Sequence, residues 1–126
     1  MYVTLSHTFS FEAARRLTQL PAGHPCGRIH GHSFHVEVVL AGDVNPETGW
    51  LIDYAVIADA WKPLHIQLDH HCLNDVEGLS NPTSEHIAAW IWRGLVDALP
   101  GLDAVCVMET PATKAIYRGE KARRDA

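Results

Sequence analysis

Hydrophobic and polar residues alternate along the first stretch of the chain. Val3, Leu5, His7, Phe9, Phe11 and Ala13 fall on one side, and Tyr2, Thr4, Ser6, Thr8, Ser10 and Glu12 on the other. A period of two over this length predicts a half-buried strand. Residues 32–41 repeat the pattern, with Phe34, Val36, Val38 and Leu40 opposite Ser33, His35 and Glu37, and close on Gly42-Asp43 and an Asn45-Pro46 turn. Residues 18–31 form a turn-rich loop holding Pro21, Gly23, Pro25 and Gly27, and loops on a rigid sheet are where chemistry concentrates. The period then changes. Asp53 is placed to cap a helix reaching to about Leu68, with Ile57, Trp61, Leu64 and Leu68 on one face and Pro63 expected to kink or divide it. Asn81-Pro82-Thr83-Ser84-Glu85 starts a second helix carrying Ile87, Ile91 and Leu95. Residues 104–109 are short and β-branched, and Thr110-Pro111 turns into residues 115–117.

The order β-β-α-α-β-β predicts an α+β fold, a four-stranded antiparallel sheet with both helices on one face. It has no internal repeat and no linker, so residues 1–120 read as a single domain and 121–126 as a frayed tail. One sheet and two helices make a thin core for 126 residues, and the uncovered sheet face predicts an oligomer.

Composition narrows the classes. An apolar share of 47% excludes a disordered chain, and a net charge of −5 lacks the basic stripe that nucleic acid needs. No apolar run approaches the ~18 residues of a membrane helix, and the start has no basic segment leading into an apolar one, which points to the cytoplasm. Three cysteines, odd in number and far apart, do not make a disulfide framework. Nine histidines nearly equal the ten Lys and Arg, a density that suggests metal or proton chemistry.

His30-Gly31-His32 places two imidazoles on one face of a strand, able to share a metal or merely to pack. Cys26 lies four residues earlier in the loop, either an activated thiol or a small apolar filler; Cys72 and Cys106 read as packing. Asp69-His70-His71 sets a carboxylate beside an imidazole, as a general base needs, or else ends a helix favourably. Glu109 follows Val105, Cys106, Val107 and Met108. It is either a strand-end charge in water or a buried carboxylate suited to a planar N–H fork, such as a guanidinium or a 2-aminopyrimidinone edge.

Taken in order, FSFEAARRL (9–17), CGRIHGH (26–32), TGWLID (48–53), LDHH (68–71), NPTSE (81–85), Glu109-Thr110 and IYRGE (116–120) resemble the 6-carboxytetrahydropterin synthases of the 6-pyruvoyltetrahydropterin synthase family, over nearly the whole chain. The three residues between Cys26 and His30 match the carboxy-forming, queuosine-pathway branch. The resemblance implies a tunnelling fold in which three subunits close a twelve-stranded barrel and two trimers stack into a homohexamer. It implies a zinc-dependent lyase converting 7,8-dihydroneopterin triphosphate to 6-carboxytetrahydropterin with release of acetaldehyde and triphosphate. By residue, His30 and His32 match zinc ligands, Cys26 the catalytic thiol, Asp69 and His70 the acid–base pair, and Glu109 the pterin anchor.

One position departs. The family pattern FxAAHRL has its third zinc-ligating histidine where this chain has Arg15. Parity points Arg15 to the side of Phe11 and Ala13, and a guanidinium cannot ligate. Two readings follow from that corner: a lyase weakened or altered in its metal site, or a non-catalytic, weak-metal pterin-binding paralogue in which Arg15 replaces the metal's charge. A third, an oligomer whose histidines only pack, is the remaining alternative.

Overall fold

A computed structural model describes residues 1–120; the expected tail, 121–126, lies outside them. The two alternating stretches form long strands, β1 (Tyr2–Arg15) and β2 (His30–Asp43), each a little longer than their patterns imply. They are followed by α1 (Tyr54–Leu68), α2 (Ser84–Leu95), β3 (Leu102–Thr110) and β4 (Thr113–Tyr117). The sheet is antiparallel in the order β1-β2-β3-β4. This is the expected α+β arrangement.

Alternation decides the layers. On β1 the odd positions turn inward and become fully buried at Phe11, Ala13 and Arg15, while the even positions from Tyr2 to Glu12 stay exposed. Phe34, Val36, Val38 and Leu40 do the same on β2. Ile57, Trp61, Leu64 and Leu68 of α1 and Ile87, Ile91 and Leu95 of α2 join them in one core. Phe11 and Phe34 stack with centroids 4.9 Å apart, and Phe9 stacks on Trp61 at 5.1 Å, a geometry that adds to the gain from burial.

Pro63 does not divide α1, one of the two outcomes its sequence position allowed: the helix runs unbroken from Tyr54 to Leu68. A proline removes one backbone bond and crowds the preceding turn. Here Trp61, Leu64 and Leu68 on both sides of it are held against the sheet, and burial outweighs the local cost. The caps behave as their chemistry predicts. Asp53 accepts from the Ala55 amide at 2.9 Å, and Thr83 accepts from His86 N at 3.1 Å. At Gly94 a Cβ would come within 2.9 Å of Leu64 Cδ2, so this glycine sets the close approach of α2 to α1.

After α1 the chain returns along the end of β1. His70 N donates to Glu12 O, Ala14 N donates to His71 O at 3.0 Å, and Cys72 bridges Ala14 in parallel. His70 is the one non-glycine among the described residues with positive φ, at 59°, a conformation uncommon for side chains with a Cβ and typical of functional segments. No helix of the described residues is long and apolar enough to cross a membrane.

Candidate active site

Arg15 ends β1 on the inward side and is 4% exposed, the one charged residue buried among the described residues. Its Nη1 donates to Pro82 O at 2.9 Å, its Nη2 donates to Glu109 Oε1, and its Cζ lies 5.0 Å from the Phe34 ring centroid. The other oxygen of Glu109 accepts from Ser84 Oγ at the start of α2. Of the two sequence alternatives for Glu109, the observed one is a carboxylate facing a guanidinium, and the guanidinium is the protein's own. Burial pushes the Glu109 pKa up, but the Ser84 hydrogen bond, the Arg15 charge and hydrogen bond, and His32 outweigh it and hold the group below the usual glutamate value. Glu109 is therefore an anion with both oxygens oriented.

His30 and His32 share a face of β2, as their spacing predicts, with ring centroids 5.0 Å apart and planes nearly perpendicular. His30 Nδ1 lies 2.7 Å from Arg28 O; a carbonyl can only accept, so Nδ1 is the donor in that contact. His32 Nε2 is 3.7 Å from Glu109 Oε1. That oxygen thus meets both His32 and Arg15.

Asp69 and His70 form a second pair. His70 Nδ1 is 2.7 Å from Asp69 Oδ2, while Glu12 N donates to Asp69 Oδ1 at 2.9 Å. The Glu12 amide, then His70, lowers the Asp69 pKa despite some desolvation. An ionised Asp69 fixes the proton of His70 on Nδ1 and leaves Nε2 free to accept one, the arrangement of a general base.

A depression of about 470 Å³ brings part of this together. It is lined by Glu12, Ala13, Ala14, Gly31, His32, Ser33, His70 and His71. His70 and His32 both border this space, although parity turns the His32 side chain to the face of Phe34 and Arg15 and sends Glu12 and Ser33 to the other. Asp69 holds His70, and Glu109 meets the His32 ring. Cys26 does not line it. It sits half-buried in a short turn (Pro25–Gly27) tied to the end of β1 by the Leu17 N to Cys26 O bond at 2.8 Å. Cys106 is buried as expected, and Cys72 is half-buried with its thiol 3.8 Å from Asn74 Oδ1.

Sequence reasoning missed Glu12 and Ser84. Glu12 carries the His70 segment on its backbone and accepts from Ser33 Oγ at 2.7 Å with its carboxylate. Alternation put Glu12 on the outward side of β1, but its place directly opposite Ser33 follows from pairing register, which alternation does not supply. Ser84 was read only as part of a helix start, and its contact with Glu109 depends on how α2 packs on β3.

Residues 4–120 match the 6-pyruvoyl tetrahydropterin synthase family. The chain belongs to that family. It is 45% identical over 115 residues to the 6-carboxy-5,6,7,8-tetrahydropterin synthase of Synechocystis, covering 86% of this chain and 88% of the relative. It is 33% identical over 141 residues to the Bacillus subtilis protein of the same name, covering 96% and 94%. The solved structure of Caenorhabditis elegans 6-pyruvoyl tetrahydropterin synthase superposes with a TM-score of 0.88 at 29% identity, over 95% of this chain and 97% of that one. The subunit has the tunnelling fold, and the expected 6-carboxytetrahydropterin synthase-like enzyme agrees with the names these relatives carry.

Zinc is the cofactor the family resemblance implies, and the side chains here test the fit. Catalytic zinc takes three protein ligands and keeps one position open. This chain offers His30 and His32, and the third corner holds a guanidinium already bound to Pro82 and Glu109. Among the described residues no group of three or more His, Cys, Asp or Glu is arranged to hold a metal ion. The donor set does not fit a three-ligand zinc.

Proposed function

We propose that this protein is a lyase acting on the side chain of a reduced pterin, converting 7,8-dihydroneopterin triphosphate to 6-carboxytetrahydropterin with release of acetaldehyde and triphosphate. The observation that carries the reading is His70, held by an ionised Asp69 at a depression that His32 also borders, with the Glu109 carboxylate against the His32 ring. Ring binding falls to Glu109. An ionised carboxylate has about four acceptor sites; Arg15 and Ser84 take one on each oxygen, and the others suit the adjacent amide N–H and amine of a pterin. His70 accepts a proton at Nε2 from the substrate side chain, and Cys26, on the turn tied to the end of β1, is the second proton-transfer group that the resemblance implies. The zinc implied by the resemblance has two donors, His30 and His32, so every step is assigned to the protein's own groups and none is routed through a metal.

The same reading places the protein in the cytoplasm, in queuosine biosynthesis, and in a homohexamer built as a dimer of trimers. The exposed outer side of β1 and the open edges of β1 and β4 support the assembly. The test is ligand binding with 7,8-dihydroneopterin as a fluorescent probe. Glu109→Gln sets a donor opposite a donor and removes the charge. Charged hydrogen bonds contribute roughly 1.5–3 kcal/mol, so affinity falls about ten- to a hundredfold. Unchanged binding by Glu109→Gln would show that the ring is held elsewhere.

A further inference from the structure

Arg15 is not a stray cation left where a ligand was lost. Four parts of the chain meet it: β1 carries it, Pro82 before α2 accepts from it, Glu109 of β3 neutralises it, and Phe34 of β2 lies under it. Only Nε lacks a partner. A guanidinium never loses its proton in a protein, so this corner carries one fixed positive charge under all working conditions. The surroundings match that charge and no more. Glu109 supplies one negative charge, and its Oε1 meets both the guanidinium and, at 3.7 Å, His32 Nε2. His30 and His32 bring no negative charge. The nearby carboxylate of Glu12 accepts from Ser33 Oγ, and Asp69 from the Glu12 amide and His70. A divalent ion on His30 and His32 would therefore share one carboxylate with a buried cation, with no further anion in contact with that pair.

The geometry points to Arg15 as the resident cation of this site: its guanidinium stands at the third ligand corner, keeps divalent metal off His30 and His32, and holds Glu109 in the orientation a ligand meets. Arg15 is thus a positioning residue acting through Glu109. Only that last role rests on the pterin reading; the exclusion of metal does not.

The test uses chelator-treated, dialysed protein titrated with cobalt(II), whose imidazole complexes absorb in the visible and report coordination geometry. Wild type gives no saturable band from His30 and His32 and holds far less than one zinc per chain as purified. Arg15→His gives a band saturating at one cobalt per chain and binds zinc at least about 10–100-fold more tightly, since losses even beyond the direct ligands cost that much. A wild-type band at one cobalt per chain that disappears in His32→Ala overturns the inference. A band surviving His32→Ala arises elsewhere among the histidines and upholds exclusion at this site. Should Arg15→His fail to fold, the wild-type and His32→Ala titrations decide alone. 7,8-Dihydroneopterin binding, measured on the same metal-free protein, separates the two readings. Binding together with a His32-dependent cobalt band sinks the resident cation and leaves the pterin reading standing. Neither binding nor band sinks the pterin reading and leaves the exclusion standing.

Discussion

Arg15–Glu109 and Asp69–His70 both couple an acid to a base within reach of one depression, yet solvent treats them oppositely. In the first pair the arginine side chain is 5% exposed, and every contact is made by a strand or a helix start. In the second the histidine is 79% exposed, on a segment that bends back through a positive φ. A buried pair cannot exchange protons freely and breaks only at high cost, whereas an exposed pair adds little stability and meets whatever enters from water. The first pair therefore supplies fixed charge and orientation; the second supplies a movable proton. A site that needs both keeps them on different elements.

Separating these roles by mutation has its largest effect at the exposed pair. Asp69→Asn retains an oxygen for the Glu12 amide but loses the charge that fixes the His70 proton, so turnover falls about 10²–10⁴-fold while the thermal midpoint moves little. A comparable loss of stability would show that Asp69 serves the fold instead. The buried pair answers in stability. Arg15→Met strands the Glu109 carboxylate and costs about 3 kcal/mol, near the low end for broken buried pairs because Glu109 retains some exposure. The double change Arg15→Met with Glu109→Leu recovers most of that, since two apolar groups leave no charge uncompensated. Denaturant unfolding at fixed protein concentration reads both, and equal losses in the single and double variants would mean that the pair does not couple.

The smallest effect concerns acid. The folded Asp69 pKa lies below its ordinary 3.8, so the folded chain binds that proton less tightly than the unfolded one. Its contribution is fully present above the unfolded value and is lost as pH falls through the folded value. The small difference in thermal midpoint between wild type and Asp69→Asn therefore closes as the pH drops below about 3.8. A gap that persists below that range would assign the difference to shape and not to charge.

Most of the fold was legible because alternation and helical spacing are local. Parity along β1 put Arg15 inward before any coordinates, and Ile57, Trp61, Leu64 and Leu68 fell on the buried face of α1. Pro63 does not divide α1, because packing on both sides of it outweighs a local rule about backbone bonds. The site was legible as residue types and less so as partners. Arg15 and Glu109 lie on β1 and β3, strands separated by β2, and no local pattern couples positions 94 residues apart. Glu109 could be matched to a planar fork by its chemistry, but that the fork would be Arg15 depends on the register of three strands.

The return of residues 70–72 along β1 also governs what can be added to the sheet. β1 is an outer strand, and an outer strand offers a row of unpaired donors and acceptors to any extended chain that approaches. At the far end that row is already consumed: Glu12 gives its amide to Asp69 and its carbonyl to His70, and Ala14 gives its amide to His71. An incoming strand can therefore zip along the even-numbered residues from Tyr2 only as far as Ser10. The loop after α1 acts as a stop, ending any sheet extension short of the depression and keeping its mouth clear.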